Sequence, residues 1–296
     1  MTGLILLDKP EGKTSFGAVA AVRYLFSEKR VGHTGTLDPM ATGVLPVLVG
    51  RATALSSFLL DADKEYIATF RLGVTTDTCD ITGKILTENK VNVTNEQIKC
   101  ALEHFTGEIE QVPPMFSALK KDGVPLYTLA RKGIEVEIKK RKITVFSLKM
   151  ISYLDENNEF AVKCAVSKGT YIRSLCRDVG EYLGCGATLS SLRRTKTSGY
   201  SIESCVKLET LTKENIKDFL VSEEDVVKHF KAVKVTKNQA IRFLNGGRLD
   251  LDRIGCEALT DNEICRIKYE DKFLGLGYVN RAKNQMAIKC VIAEKF

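Results

Sequence analysis

A single carboxylate stands out in the segment GHTGTLDPMATGVLPV, residues 32–47. Pro39 disfavours the α region for Asp38 and directs that residue toward extended geometry. Gly32 and Gly35 permit backbone angles that other residues avoid. Such a turn presents one carboxylate rigidly at the edge of an apolar strand, as a nucleophile shielded from water requires. A purely structural turn explains the same residues, because Asp and Pro are both common in turns.

The spacing of the other polar residues gives no support to metal or redox chemistry. The three histidines, His33, His104 and His229, lie far apart in the chain, and the nine cysteines are scattered without a C-x-x-C pair. Reduced cytosolic thiols explain these cysteines better than a disulfide framework or a zinc site does. We therefore expect no metal site, and no glycine-rich loop suggests a nucleotide cofactor.

Composition places the chain among ordinary globular proteins. It has 296 residues, of which 44% are hydrophobic and 27% charged, which fits one large domain or two smaller ones. No apolar run approaches the roughly 18 residues of a membrane span. The N-terminal MTGLILLDKP is too short in its apolar part for a signal peptide. We expect a cytoplasmic protein that does not enter a membrane.

The charge of the chain is compatible with a polyanionic partner. The formal net charge is +7, and residues 139–142 are four consecutive cations. Four more cations lie shortly before them, at Lys120, Lys121, Arg131 and Lys132. A solvated surface explains these charges as well as a nucleic-acid interface does.

Hydrophobic periodicity predicts a mixed arrangement of strands and helices. Strands are expected at 4–7, 44–49, 66–72 and 160–166. Helices are expected at 16–26 after an N-cap at Thr14 or Ser15, at 98–105 after a capping box of Thr94 and Gln97, at 126–132, and at 175–183.

Three regions differ from this core. Residues 111–142 are interrupted by prolines and strongly positive, which indicates an excursion from the core. Residues 203–232 are charged and look helical. From about residue 233 the chain has short alternating segments broken by turn residues, which predicts a small β-rich domain and a boundary near residue 232.

The motif around Asp38 resembles the catalytic motif of the bacterial tRNA pseudouridine-55 synthases, the TruB family of pseudouridine synthases. Further blocks of the family pattern follow in the same order, and together they span most of residues 3–195. They are KPEGKTS (9–15), KEY (64–66), GVTTDTCDITG (73–83), QVPPMFSALK (111–120) and GTYIRSL (169–175). The C-terminal segments GGRLD (246–250) and DKFLGLGYV (271–279) resemble the RNA-binding PUA domain more weakly.

The resemblance implies an α/β (α+β) fold with two parts. Residues 1–232 would form the pseudouridine synthase fold, a mixed, mainly antiparallel sheet flanked by helices, with an RNA-clamping insertion at 111–142. Residues 233–296 would form a PUA-like domain. The implied reaction detaches uracil from C1′ of a uridine, rotates it and rejoins it through C5, so it needs no cofactor. The implied substrate is the T-arm loop of tRNA at position 55, and assistance to tRNA folding would accompany it. We expect a monomer without an obligatory protein partner.

The resemblance also assigns roles to three catalytic residues. Asp38 would be the essential carboxylate, acting by attack at C1′, by attack at C6 or through a glycal, and the sequence does not choose among these routes. Arg173 would keep Asp38 ionised in a water-poor pocket, where desolvation raises the pKa of a carboxyl group. An anionic partner would also offset the unfavourable interaction of the Arg173 cation with the positive end of the helix dipole. Tyr66 would stack on the uracil, and its hydroxyl is a candidate for the proton transfer at C5.

Five further residues are implied to bind substrate. His33 would contact the RNA near the pair that opens when the uridine is flipped out. Tyr171 and Leu192 would support the pocket, and Lys9 and Thr14 would serve the RNA loop. Taken singly, each has a plain structural explanation: a turn, a cap or a core position.

The sequence leaves two other classes of function open. A protein that binds or folds RNA without catalysis would keep the same fold. A nucleoside or glycoside hydrolase would use two carboxylates, whereas the motif offers one, and Asp77 and Asp80 lie in a block with an expected structural or RNA-positioning role. A guide-RNA-dependent relative shares the catalytic motif, but the chain shows no extra partner-binding segments.

Overall fold

The computed structural model describes residues 1–256 and 258–295. Within them the helices are α1 (Ser15–Phe26), α2 (Ser56–Leu60), α3 (Asn95–His104), α4 (Leu126–Ala130), α5 (Ile172–Tyr182), α6 (Glu223–Val226) and α7 (Lys237–Leu244). The strands are β1 (Gly3–Lys9), β2 (Val31–His33), β3 (Thr42–Val49), β4 (Lys64–Leu72), β5 (Val74–Thr76), β6 (Ile85–Glu88), β7 (Gly107–Gln111), β8 (Lys120–Lys121), β9 (Val124–Pro125), β10 (Arg141–Met150), β11 (Glu159–Val166), β12 (Ala187–Thr197), β13 (Tyr200–Ser201), β14 (Val206–Lys207), β15 (Leu220–Val221), β16 (Lys231–Lys234), β17 (Leu249–Asp250), β18 (Ile264–Tyr269), β19 (Lys272–Asn280) and β20 (Gln285–Val291).

An eleven-stranded sheet forms the larger part of the molecule. Its main path runs β14-β1-β3-β12-β4-β11-β10-β7, with β13, β15 and β2 paired at its sides. The pairs β1–β14 and β3–β12 are parallel, and the other pairs are antiparallel. Helices α1, α3 and α5 contact this sheet. The expected mixed, mainly antiparallel sheet flanked by helices is confirmed.

Local signals explain the helices that pack on the sheet. The Thr14 hydroxyl accepts a hydrogen bond from the Gly17 amide, which caps α1, and Val19 and Val22 turn its apolar face to the core. The capping box expected before α3 is present, since Thr94 and Gln97 satisfy each other's backbone amides.

Residues 203–232 do not form the helical segment that their composition suggests. The helix α6 has four residues, and the segment otherwise holds 3-10 turns, the two-residue strands β14 and β15 and the first two residues of β16. Both strands pair with β1, so this segment covers a sheet edge. A charged segment with few apolar positions has no continuous apolar stripe to hold a longer helix against the core.

A second sheet of five strands, ordered β16-β18-β19-β20-β17, packs with α7 around its own apolar core. The expected small β-rich unit at the C-terminus is thereby confirmed, while its boundary near residue 232 stays a prediction. A further apolar cluster joins the two sheets, with Leu6 and Leu48 on one side and Leu276 and Ile292 on the other.

The insertion 111–142 leaves the main sheet at the end of β7 and returns to it at β10. Between these strands lie the hairpin β8–β9 and the short helix α4, which begins after Pro125 as expected. None of the helices in the described residues is both long and apolar enough to cross a membrane.

Candidate active site

The loop that carries Asp38 is held from both sides by hydrogen bonds to its backbone. The Ser15 hydroxyl in the first turn of α1 accepts from the Leu37 amide and donates to the Leu37 carbonyl, both at 2.9 Å. The Gly12 amide donates to the Pro39 carbonyl at 2.9 Å. These hydrogen bonds fix the residues on each side of Asp38, which gives the rigid presentation that the sequence suggests. Gly35 adopts a left-handed φ of +84°, as expected of this turn, whereas the φ of Gly32 lies outside the left-handed region.

Lys9 supports the same loop from inside the protein. It is fully buried, and its ammonium donates to the carbonyls of Pro10 at 2.9 Å, Lys13 at 2.6 Å and Pro39 at 3.3 Å. Burial lowers the pKa of Lys9 to about 8, and Asp38 opposes that shift. Three carbonyls of its own chain therefore enclose the charge of Lys9, and its contact with the RNA loop stays a prediction.

Arg173 makes a two-point contact with Asp38. Its Nε lies 2.8 Å from Oδ2 of Asp38, and its Nη2 donates to Oδ1 at 3.1 Å. The remaining donors reach the carbonyls of Thr78 at 3.0 Å and Phe116 at 2.9 Å and, at 3.5 Å, Oδ2 of Asp80. The planar fork of arginine matches this set, whereas a lysine would not. Arg173 is 5% exposed as the second residue of α5, so the anionic partner expected at that helix start is present.

Asp80 belongs to a turn that docks beside this pair. Its Oδ1 accepts from the Thr78 hydroxyl at 2.9 Å and from the Thr82 amide and hydroxyl at 3.0 and 2.6 Å. The backbone of the same turn exchanges two hydrogen bonds with Leu189 of β12. Asp80 is 4% exposed. In the sequence Asp80 lies in a different block from Asp38. In the structure both carboxylates contact the guanidinium of Arg173.

The acidity of Asp38 reflects a balance of opposing influences. Burial raises its pKa above the ordinary value, and the Arg173 guanidinium is the largest influence that lowers it. The carboxylate of Asp80 raises the pKa further. Because the net direction is upward, Arg173 reduces the desolvation penalty without cancelling it.

Tyr66 and Arg194 form the opposite part of the site on neighbouring strands. They are directly paired across β4 and β12, so their side chains share one face of the sheet. Arg194 is 1% exposed, and its guanidinium donates to the carbonyls of Val44 at 2.8 Å and Gly35 at 2.9 Å. Burial raises the pKa of the Tyr66 hydroxyl, while the adjacent Arg194 opposes this shift. The phenol therefore keeps its proton at neutral pH.

These residues surround one cavity of about 960 Å³. Seven of the eight residues singled out from the sequence line it, and Lys9 is the exception. They are His33, Asp38, Tyr66, Tyr171, Arg173, Leu192 and Thr14. The fold thus brings together blocks that are up to 178 residues apart in the chain, from Thr14 to Leu192.

Two of the lining residues, His33 and Tyr171, have different local surroundings. Nδ1 of His33 is buried and finds no hydrogen-bond partner in the described part of the chain, and burial together with Arg194 lowers the pKa of this imidazole. Tyr171 is fixed through its backbone, because the buried side chain of Gln111 accepts from its amide at 2.9 Å and donates to its carbonyl at 3.1 Å. His33 is thus neutral at neutral pH, and the backbone of Tyr171 is held at the start of α5.

The insertion supplies one wall of the cavity. Phe116, Ser117, Tyr127 and Arg131 line it, and the Phe116 carbonyl is one of the acceptors of Arg173. All eight cations noted in this segment are exposed, and none of them forms an ion pair with a described carboxylate. Their charge is available to an external polyanion.

Three site residues were not selected from the sequence. Asp80 and Gln111 stand inside two of the family blocks, so their positions were visible in the sequence but their partners were not. Arg194 follows Leu192 by two residues, and this strand period places both on one face. Among the described residues, no group of three or more His, Cys, Asp or Glu side chains is arranged to hold a metal ion.

Comparison with known proteins gives structural relatives over almost the whole chain. A solved Cbf5-Nop10-Gar1 complex matches with a TM-score of 0.69 at 26% identity, covering 99% of this chain and 84% of that one. An H/ACA RNP bound to a substrate RNA containing 2′-deoxyuridine matches with a TM-score of 0.70 at 25% identity, covering 99% and 86%. Since these similarities extend through the C-terminal sheet, they support its PUA-like character.

Relatives found by sequence have a higher identity to this chain than these solved structures do. The tRNA pseudouridine synthase B of Clostridium tetani is 43% identical over 278 residues, which cover 94% of this chain and 95% of the relative. That of Alkaliphilus oremlandii is 41% identical over 295 residues, covering 98% and 97%. Residues 23–172 match the N-terminal domain of the TruB family pseudouridylate synthases, and residues 173–230 match a tRNA pseudouridylate synthase B C-terminal domain. The chain belongs to the TruB family of pseudouridylate synthases.

Proposed function

We propose that this protein isomerises uridine to pseudouridine at position 55, in the T-arm loop of tRNA, with Asp38 as the essential carboxylate. It acts as a cytoplasmic monomer, without a cofactor and without an obligatory protein partner. The name of the relatives, tRNA pseudouridine synthase B, supports tRNA as the substrate. The position in the T-arm and the role of each residue rest on the site and on the motifs of the sequence.

The contact between Arg173 and Asp38 carries this proposal. An isomerisation that breaks and remakes a glycosidic bond needs an ionised carboxylate in a space from which water is largely excluded. The guanidinium supplies two charge-assisted hydrogen bonds that hold both carboxylate oxygens in place. The Asp38 side chain is nevertheless 33% exposed toward the cavity, so a nucleotide can reach it. A carboxylate that served only structure would gain nothing from this partial exposure.

The other side of the cavity suits a flat base. Tyr66 and Leu192 lie on adjacent strands, and both line the cavity with apolar surface on which a uracil ring can lie. Because the Tyr66 hydroxyl is protonated, it can donate its proton. It can accept the proton from C5 only if it gives up its own proton at the same time. Arg194 beside the hydroxyl favours a passing phenolate charge.

The target uridine must leave the folded loop before it can reach Asp38. Extrusion of a stacked base costs a few kcal/mol, which contacts elsewhere on the RNA must offset. The unpaired cations of the insertion 111–142 can supply phosphate contacts on that side of the cavity. His33, neutral and with one ring nitrogen unpartnered, is suited to a contact with the opened pair. The same opening of the T-arm underlies the proposed assistance to tRNA folding.

A hydrolase is the alternative that the second carboxylate makes worth testing. Asp80 lies on the same guanidinium as Asp38, and glycosidases use two carboxylates. However, both Asp80 oxygens are already engaged, one by Thr78 and Thr82 and the other by Arg173. A general acid in a glycosidase must present its proton to the leaving group. Asp80 is therefore suited to orient Arg173.

The experiment incubates an unmodified tRNA transcript with wild type, Asp38→Asn and Asp63→Asn, and maps pseudouridine by chemical probing. Asp63 is an aspartate outside the cavity, so its variant serves as the matched control. We expect one product position in the T-arm loop for wild type and Asp63→Asn. We expect no product for Asp38→Asn, although this variant still binds tRNA in a gel-shift assay.

Other results separate the alternatives. Binding without any pseudouridine in the wild type would indicate an RNA-binding protein that is not an enzyme. Release of free uracil would indicate a hydrolase. If Asp38→Asn turned over at more than about one hundredth of the wild-type rate, Asp38 would not be the essential catalytic group. Loss of an essential covalent or general-base group lowers the rate by several orders of magnitude.

A further inference from the structure

The rim of the cavity carries an aromatic side chain that the fold does not use. Phe16 is the second residue of α1 and is 68% exposed. The face of α1 that packs on the sheet consists of Ser15, Ala18, Val19 and Val22, and Phe16 lies off that face. Within the described residues its ring contacts no other ring and no cation. Burial of apolar area therefore does not account for a phenylalanine here.

Phe16 does, however, line the same cavity as Asp38. That cavity has a volume of about 960 Å³, at the upper end of the roughly 300–1,000 Å³ of sites for drug-sized ligands. A single uridine against Asp38 and Tyr66 leaves part of this space free. Phe16 on α1 and, from the insertion, Tyr127 and Arg131 line this cavity and are exposed, so we take them as its rim.

The surroundings of Phe16 are favourable for a nucleotide. The positive end of the dipole of α1 lies at its first turn, and the exposed Lys13 precedes it, so a phosphate is attracted there. Of the two aromatic residues at the rim, Tyr127 already has the Arg131 guanidinium over its ring, with 5.5 Å to the centroid. The ring of Phe16 is open. Single-stranded RNA is bound by this combination of a cationic groove and an exposed aromatic face.

We infer that Phe16 is a stacking platform for a nucleotide next to the target uridine. When the uridine turns into the cavity toward Asp38, the adjoining base leaves the RNA stack and lies on the ring of Phe16. This compensates part of the cost of opening the loop and favours the extruded arrangement. The inference rests on the proposed function, because it requires a target uridine in the cavity.

The test compares variants of Phe16 on a T-arm stem-loop RNA under single-turnover conditions. The variants are Phe16→Ala, Phe16→Leu and Phe16→Tyr, with Tyr24→Ala as the matched control. Tyr24 lies on the same helix and is 69% exposed, but it does not line the cavity. The RNA is used intact and with the nucleotide on each side of the target made abasic in turn. The half-saturating protein concentration and the rate at saturation are measured separately, with the protein in excess over the RNA.

We expect Phe16→Ala to raise the half-saturating protein concentration roughly tenfold, within the range of base–aromatic stacking, with little change in the rate at saturation. Phe16→Tyr should retain wild-type binding, and Phe16→Leu should resemble Phe16→Ala, because a flat ring and not apolar volume is required. Tyr24→Ala should behave as wild type. With one of the two abasic RNAs, wild type and Phe16→Ala should become equal, as in a double-mutant cycle between protein and RNA.

Two results would overturn the inference while leaving the proposed function intact. One is wild-type binding by Phe16→Ala. The other is a persistent difference between wild type and Phe16→Ala on both abasic RNAs, since the ring would then act on something other than an adjoining base. If wild type formed no pseudouridine in the intact stem-loop, the proposed function and the platform would fall together.

Discussion

Replacement of Arg173 by lysine keeps a positive charge beside Asp38 and removes the geometry of the guanidinium. The native side chain binds both oxygens of Asp38, one oxygen of Asp80 and the carbonyls of Thr78 and Phe116. A lysine ammonium has three donors on one atom, so at least two of these acceptors must go without a donor. The variant therefore separates the effect of charge from the effect of orientation.

The size of the effect follows from the burial of the partners. A buried acceptor left without its donor costs about 1–3 kcal/mol, so two such acceptors destabilise the protein by about 2–6 kcal/mol. The Asp38 side chain is 33% exposed, and water can replace part of what it loses. We expect a destabilisation in the lower half of this range, about 2–4 kcal/mol. The rate should fall about 100-fold, as for a catalytic group displaced by about 1 Å.

The pH dependence has a defined sign. The pKa of Asp38 is already raised by burial, and Arg173 is the largest influence that lowers it. A lysine that holds Asp38 less closely leaves the pKa of Asp38 higher than in the wild type. Activity that needs the ionised carboxylate is lost as the pH falls through this pKa. The acid limb of the pH–rate profile should therefore move to higher pH in Arg173→Lys.

The assay is single-turnover pseudouridine formation on a tRNA transcript across the acid pH range, together with urea unfolding. Arg177→Lys is the matched control, because Arg177 lies one turn further along α5 and bonds Asp178 at 2.7 Å without lining the cavity. It should lose little activity. Wild-type rate and an unmoved acid limb in Arg173→Lys would refute the reasoning, since charge alone would then suffice.

Two further predictions concern Lys9 and the insertion. The pKa of Lys9 is about 8 in the folded protein against an ordinary 10.5, so folding disfavours the charged form and this penalty disappears as the pH rises from 8 toward 10.5. Urea unfolding should therefore show wild type gaining stability relative to Lys9→Met over that interval, and a constant difference would contradict it. Replacing both Lys139 and Lys140 by alanine should reduce the slope of log Kd for tRNA against log salt by roughly 0.7–0.9 for each phosphate that is no longer neutralised. An unchanged slope in a filter-binding titration would show that these lysines do not touch the RNA.

Local signals in the sequence were sufficient for four of the strands (β1, β3, β4 and β11) and four of the helices (α1, α3, α4 and α5), whereas the choice of Asp38 as the catalytic carboxylate also needed the resemblance to the family. The Thr14 cap, the apolar spacing of α1 and the restriction that Pro39 places on Asp38 act within a few residues, and such effects survive in any surrounding fold. The same reasoning failed for residues 203–232. There the pairing of two short strands with β1 outweighs the weak helical preference of a charged segment.

The site itself was decided by tertiary structure. Asp38 and Arg173 are 135 residues apart, and their bidentate contact depends on the docking of α5 beside the loop. Asp80 becomes a partner of Arg173 because its turn bonds to β12, and the ammonium of Lys9 is enclosed because three carbonyls lie around it. The sequence by itself determined which residue types stand in each block. Which of them meet, which are buried and how their charges shift depended on long-range packing, which no local pattern encodes.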